Sequence, residues 1–165
     1  MNNKIVDFKN IVIDYMKEED IPQVMAIEVS SFYAPWTSFS FLEELKHNRL
    51  ASYFSARFLE QLVGYAGVWF ILDEVHITTI AVHPFYRSRG IGSLLLGKII
   101  KLASQQRAKE VTLEVRVSNK PAQGLYTKYG FDVKGTRKNF YNDEDALIMT
   151  VTMEAGICER YNIRY

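Results

Sequence analysis

The sequence predicts an α/β fold: a mixed, mostly antiparallel central sheet containing one parallel strand pair, flanked by about four helices. Three observations predict it. Between Ala51 and Leu72 two β-type runs flank Glu60-Gln61, the pattern of an antiparallel hairpin, and Asp73-Glu74 turns the second run into a further strand, Val75 to Val82. Beyond Arg87-Ser88-Arg89-Gly90-Ile91-Gly92, the residues Leu94, Leu95, Ile99 and Leu102 recur at the spacing of one helix face. Val111 to Val117 is again β-type, and strand, helix and strand with a crossover of this length imply a parallel pair in one sheet.

Residues 1–165 are expected to form a single domain, a length that buries roughly two thirds of the unfolded surface. A hydrophobic fraction of 48% with 13% aromatics fits a globular chain. No apolar run is long enough to cross a bilayer, and the N-terminus lacks a signal-peptide core, so a cytoplasmic protein without a membrane partner is expected. Cys158 stands alone, which leaves no internal disulfide and no cysteine metal cluster; no metal cofactor is expected. Twenty basic residues against 19 acidic ones give a net charge of +1, no broad basic face, and no expectation of nucleic acid as a partner. A monomer or weak homodimer is expected.

Residues 1–9 are polar at the start and expected to fray. Ile11 to Met16 reads as the first strand and Lys17 to Asp20 as a charged turn. Asp20 is expected to cap a helix whose Pro22 needs no N–H partner, with Ile21, Val24, Met25 and Ile27 on its apolar side. That helix should end near Ser31, because Pro35 biases the preceding residue away from helical angles. In the aromatic loop that follows, Phe32 and Trp36 read either as the mouth of a substrate site or as a wedge between helices. Thr37 is the expected cap of a second helix carrying Phe41, Leu42 and Leu45. Late in the chain, Asn119 and Pro121 open a short helix with Leu125, Tyr126 and Tyr129, which Gly130 stops. Phe131 to Thr136 and Asp145 to Met153 form a closing hairpin, and residues 154–165 are a tail that is either a last helical turn or a partner contact.

The junction at Gly90 has the properties of a phosphate cradle. The first turn of a helix holds N–H groups without internal partners and about half a positive charge. Gly90 and Gly92 let a bulky anion approach the main chain, and Arg87 and Arg89 add positive charge. A plain strand-to-helix turn is the alternative. Gly92-Ser93-Leu94-Leu95-Leu96-Gly97-Lys98 also has the spacing of an NTP-binding loop, but Ile99 stands where a hydroxyl should hold magnesium.

Glu114 lies mid-strand among valines and a leucine. In a cleft beside the parallel partner strand it would be a general base with its pKa raised by desolvation; on an outward face it would be only a solvated carboxylate. Tyr126, twelve residues on, can face the same end of the sheet and donate a proton to a thiolate, or can be a core aromatic. His76 is an alternative base, sharing a strand face with Glu74 and Thr78. Cys158, with no histidine nearby in sequence, is a poor nucleophile candidate.

Taken in order, Arg87-Ser88-Arg89-Gly90-Ile91-Gly92, the leucine-rich helix, Leu113-Glu114-Val115-Arg116-Val117-Ser118-Asn119, Leu125-Tyr126 and Tyr129-Gly130-Phe131 resemble the GNAT acetyltransferase superfamily, most closely its RimI-type ribosomal-protein-alanine N-acetyltransferases. The likeness runs from Ile11 to Met153 and takes in the Phe32 to Trp36 loop and Arg137-Lys138-Asn139-Phe140-Tyr141. This resemblance implies the GNAT fold and acetyl transfer from acetyl-CoA to the α-amine of a protein N-terminus, with a ribosomal protein as the inherited acceptor. It implies coenzyme contacts at Ile80, Ala81 and Val82, at Arg87, Ser88, Arg89, Gly90, Ile91, Gly92 and Ser93, and at Asn119 and Tyr126. By the same matching Glu114 is the proton acceptor, Tyr126 the proton donor to the departing sulfur, and Phe32, Trp36 and Tyr141 substrate contacts. Phe140-Tyr141 departs from the common Tyr-Tyr pair by one hydroxyl. A small amine or a lysine side chain as acceptor, and an acyl-CoA-binding module without catalysis, are the competing readings.

Overall fold

The computed structural model describes residues 10–163; the fraying expected of residues 1–9 lies outside the described residues. Seven strands form one sheet: β1 (Ile11–Tyr15), β2 (Ala51–Phe58), β3 (Gln61–Ile71), β4 (Glu74–Val82), β5 (Glu110–Arg116), β6 (Asp132–Arg137) and β7 (Ala146–Thr152). Their order is β1-β2-β3-β4-β5-β7-β6, and only β4 and β5 run parallel. The helices are α1 (Ile21–Ser31), α2 (Ser38–His47), α3 (Ile91–Gln105), α4 (Lys120–Lys128) and the single turn α5 (Ile157–Arg160). No helix among the described residues is long and apolar enough to cross a membrane.

Strand alternation divides the side chains between two cores. Val111, Leu113 and Val115 of β5 point to one face, where with Val75 and Ile77 they meet Leu95, Leu96, Ile99 and Ile100 of α3. Thr112, Glu114 and Arg116 point to the other face. There Val24 and Ile27 of α1 and Phe41 of α2 pack on Tyr53, Tyr65 and Ala81, with the Phe41 ring edge-on to Tyr65 at 5.7 Å.

The feature that makes room for a site is the short pairing of β4 with β5. It covers only Glu74 to Ile77 against Glu110 to Leu113. A bulge follows at once: Gly67 of β3 pairs with Thr79 and Val68 with Ile77, leaving Thr78 as an extra residue that bends β4. Thr78 to Val82 therefore have no partner on the β5 side, while Glu114 to Arg116 pair only with β7. Glycine is required opposite the bulge, because a Cβ on Gly67 would lie 2.7 Å from Tyr53 Cζ and 2.8 Å from Thr78 Oγ1.

Two local expectations are corrected, and one open alternative, that of the tail, is decided. The Asp20 carboxylate does not cap α1; it is 3% exposed and accepts hydrogen bonds from Ser55 Oγ at 3.1 Å, the Arg57 guanidinium and the Lys17 N–H. Sheet closure brings β2 beneath it, and a buried carboxylate takes a cationic partner in preference to an exposed backbone. The hairpin turns at Leu59-Glu60, one residue earlier than expected, with Leu59 left-handed at φ 54°. The described part of the tail is a helical turn on the chain's own core: Ile157 is buried, and Tyr161 lies 5.9 Å from the Tyr129 ring, over Gly130 at φ 83°.

Candidate active site

The open end of β4 leads directly to the helix start. After Val82 comes a 3-10 turn at Pro84–Tyr86, then Ser88 and Gly90 in left-handed conformations, and α3 begins at Ile91. The first bond of the ladder is Leu94 N–H to Gly90 O at 3.0 Å, so the N–H groups of Ile91, Gly92 and Ser93 precede it and point out of the helix end. Gly90, at φ 83°, meets the conformational demand of the turn. At Gly92 the missing Cβ also accommodates Leu125 of α4, whose Cδ2 would stand 3.3 Å away. Since His83 N–H bonds Val63 O at 2.9 Å, alternation turns the Val82 N–H to the opposite side, into the gap beside β5.

Arg87 is engaged differently from the sequence expectation. Its Nε donates to Val82 O at 3.0 Å and its Nη2 to Ser31 Oγ at 3.1 Å, binding the end of β4 to the end of α1. The Arg89 guanidinium lies 6.0 Å from the Tyr86 ring. Asn119 caps α4, its Oδ1 accepting the Ala122 N–H at 3.2 Å.

Across the gap, Glu114 faces the α1–α2 side with a side chain only 9% exposed. Both oxygens are engaged: His76 Nε2 lies 3.0 Å from Oε2, and Arg137 Nη1 lies 3.0 Å from Oε1. The expectation of a raised pKa is overturned. The His76 hydrogen bond outweighs desolvation, and the charges of His76 and Arg137 add to it, holding the carboxyl below its ordinary range. His76 comes from the paired part of β4, opposite Thr112, and Arg137 reaches across β7 from β6. His76 is supported in turn by Trp69, 6.2 Å between ring centroids, whose indole N–H donates to Glu44 Oε2 of α2 at 2.7 Å.

Tyr141, on the β6–β7 loop, donates its hydroxyl to the Glu114 carbonyl at 3.2 Å. Tyr126 is buried, its ring 5.7 Å from Phe131, and burial followed by the nearby Tyr141 pushes its phenol well above the ordinary tyrosine range. Tyr141 and Glu114 thus meet at the β5 side of the gap, while Tyr126 belongs to the core packed on α3 and is near enough to Tyr141 to be influenced by it. Phe32 and Trp36 stand on the far side of the same face. The Trp36 N–H donates to Glu28 Oε1 at 2.8 Å and its ring lies 5.4 Å from Phe41, so Trp36 joins α1 to α2, while 37% of Trp36 and 39% of Phe32 remain exposed. Glu74 is exposed at the start of β4, and His47 pairs with Glu43 on α2 at 3.8 Å.

Sequence reasoning passed over Glu44 and Glu28, and, though Arg137 stands in the stretch that carries the family likeness, its pairing with Glu114. Glu28 had a local signal: it is a carboxylate beside the apolar stripe of α1, 4% exposed, and it also accepts the Tyr65 hydroxyl. The Arg137 pairing had none, because only the sheet order brings that residue to Glu114.

The model of the Acetyltransferase (GNAT) family matches residues 21–131. The chain belongs to the GNAT acetyltransferase family. Among GNAT relatives it is 47% identical over 140 residues to a Bacillus subtilis protein provisionally named a ribosomal protein bS18-alanine N-acetyltransferase, covering 84% of this chain and 93% of that one. It is 34% identical over 145 residues to the ribosomal protein bS18-alanine N-acetyltransferase of Haemophilus influenzae, with 84% and 96% covered. The crystal structure of the ribosomal-protein-S18-alanine N-acetyltransferase from Escherichia coli superposes with a TM-score of 0.80 at 29% identity, covering 87% and 94%. GNAT enzymes use acetyl-CoA, and the gap fits it: the Ile91 to Ser93 amides suit a diphosphate, and the unpaired edge of β4 suits an extended amide-bearing arm.

Proposed function

We propose that this GNAT enzyme acetylates the α-amine of a protein N-terminus, with a bS18-type ribosomal protein as acceptor. The observation that supports this best is the ionised Glu114 at the floor of the β4–β5 gap, in a chain 47% identical to a relative named for that reaction. Acetyl-CoA supplies the acyl group as a thioester. At pH 7 roughly a tenth of α-amines are neutral, against fewer than about one in a thousand lysine side chains. An acceptor α-amine therefore needs only modest help.

Glu114 gives that help as an anion. It attracts the incoming ammonium and accepts its proton for release through water, while the low pKa set by His76 keeps it from retaining that proton. The Val82 N–H meets the negative charge developing on the carbonyl oxygen. Tyr126, its phenol made less acidic by burial, keeps its proton and acts as a hydrogen-bond donor to the departing sulfur. Phe32, Trp36 and Tyr141 line the acceptor's approach.

The test is a panel of peptides beginning with alanine, each carrying one internal lysine, with free or blocked N-termini, and with products mapped by mass spectrometry. Acetylation confined to free α-amines is expected. Modification of the lysine in blocked peptides, with free α-amines untouched, would overturn the proposal.

A further inference from the structure

Arg116 follows Glu114 by two residues on the same strand face and binds the tip of the β6–β7 loop. Its Nη1 lies 2.9 Å from Asp143 Oδ1 and 3.2 Å from Glu144 Oε2, and its guanidinium stacks over the Tyr141 ring at 4.3 Å. Glu144 is shared: its Oε2 accepts the Ser118 hydroxyl at 2.9 Å, and its Oε1 takes the Ser118 N–H, in the turn before Asn119 caps α4. The loop is closed on itself by Tyr141 N–H to Glu144 O at 3.1 Å and by Asn139 N–H to Asp145 Oδ1 at 2.8 Å.

These contacts converge on one side chain. Tyr141 is held from below by the Glu114 carbonyl, on its face by Arg116, and along its main chain by Glu144. The Arg116 side chain is 28% exposed and that of Glu144 23%, so the pair is partly shielded from water. We propose that Arg116 and Glu144 form a clasp that positions Tyr141 as a wall of the acceptor site, making Arg116 a positioning residue for acceptor binding and not for acetyl-CoA. The inference rests on the reading of Tyr141 as an acceptor contact in an N-terminal acetyltransferase. Arginine differs from lysine here because, while one nitrogen, Nη1, reaches both carboxylates, its planar guanidinium also lies flat on the Tyr141 ring, a stacking face that a lysine lacks.

The experiment compares wild type with Arg116→Met, Arg116→Lys and Glu144→Gln on a free-N-terminus peptide, alongside hydrogen exchange of the amides of residues 138–145. In Arg116→Met the peptide KM should rise about five- to ten-fold, as partly buried charge-assisted contacts are lost, with acetyl-CoA KM unchanged and kcat within about two-fold. Loop amides should exchange faster, and Arg116→Lys should recover only part of each effect. Glu144→Gln approaches the clasp from the loop and should act in the same direction, so an Arg116 variant that fails to fold leaves the test standing. An unchanged peptide KM, or parallel rises in both KM values, would overturn the proposal. Wild type inactive on α-amines would instead refute the acceptor assignment, and the exchange of the loop amides would still report whether the clasp exists.

Discussion

Replacing Glu114 by glutamine keeps the length of the side chain and removes its charge. Gln can still accept one hydrogen bond, but its NH2 turns a donor toward either His76 Nε2 or Arg137 Nη1, each 3.0 Å away in the native pair. If Glu114 serves to deprotonate a bound ammonium, the variant must wait for the neutral fraction of acceptor. For an α-amine of pKa about 7.8 that fraction is roughly one in seven at pH 7 and nearly all at pH 9, so kcat/KM should fall about seven-fold at pH 7 and recover at pH 9. A lysine acceptor of pKa about 10.4 would instead lose about 2,500-fold at pH 7 and still about 25-fold at pH 9. The assay is CoA release followed with a thiol reagent across that range, at saturating acetyl-CoA and limiting peptide. A loss that is the same at pH 7 and pH 9, or no loss at all, would refute the assignment of Glu114 as proton acceptor.

Other expectations follow from the same geometry. Tyr126→Phe should lower kcat by about ten- to a hundred-fold while acetyl-CoA affinity, measured by calorimetry, changes little; an equal loss in both would make Tyr126 a binding residue only. Because His76 holds the Glu114 carboxyl low, that pair's stabilisation is full above the unfolded carboxyl value and disappears as pH falls through the lower folded one. Thermal melts of wild type and Glu114→Gln should therefore differ at pH 7, and the difference should shrink as pH falls below the ordinary carboxylate range and through the lower folded value. Gly67→Ala drives a methyl into the Tyr53 ring beside the bulge and should cost about 1–3 kcal/mol, seen as a drop in Tm of about 2 to 10 °C. A variant as stable as wild type would show that β4 does not need that close approach.

Much of the fold was readable because local chemistry and packing agree. Thr37 accepts the Ser40 N–H at 3.1 Å as a cap should, Asn119 does the same for α4, and α1 ends at Ser31 ahead of Pro35. The alternation in Val111 to Val117 placed Glu114 off the core, and the strand, helix and strand pattern gave the parallel pair. What escaped depends on contacts far apart in sequence. His76 lies 38 residues before Glu114 and Arg137 lies 23 after; the first meets it because β4 is the parallel neighbour of β5, and the second because the Arg137 side chain reaches from β6 across the intervening β7. Burial alone raises a carboxyl, so the direction for Glu114 could not be had without those partners. The contacts of Arg87 with Val82 and Ser31 escaped for a similar reason: they join a loop residue to the ends of β4 and α1. Asp20 escaped because a helix-start residue was judged by its neighbours in sequence and not by Arg57 beneath it.

The central claim is that acetyl-CoA lies in the β4–β5 gap with its diphosphate on the first amides of α3. Amide resonances of the ¹⁵N-labelled chain, followed while acetyl-CoA is added, test this most directly. The account predicts the largest shifts at Ile91, Gly92 and Ser93, with a second group at Ile80 and Val82. Shifts that leave those five amides unmoved and cluster elsewhere, for instance around Cys158 to Ile163, would contradict it.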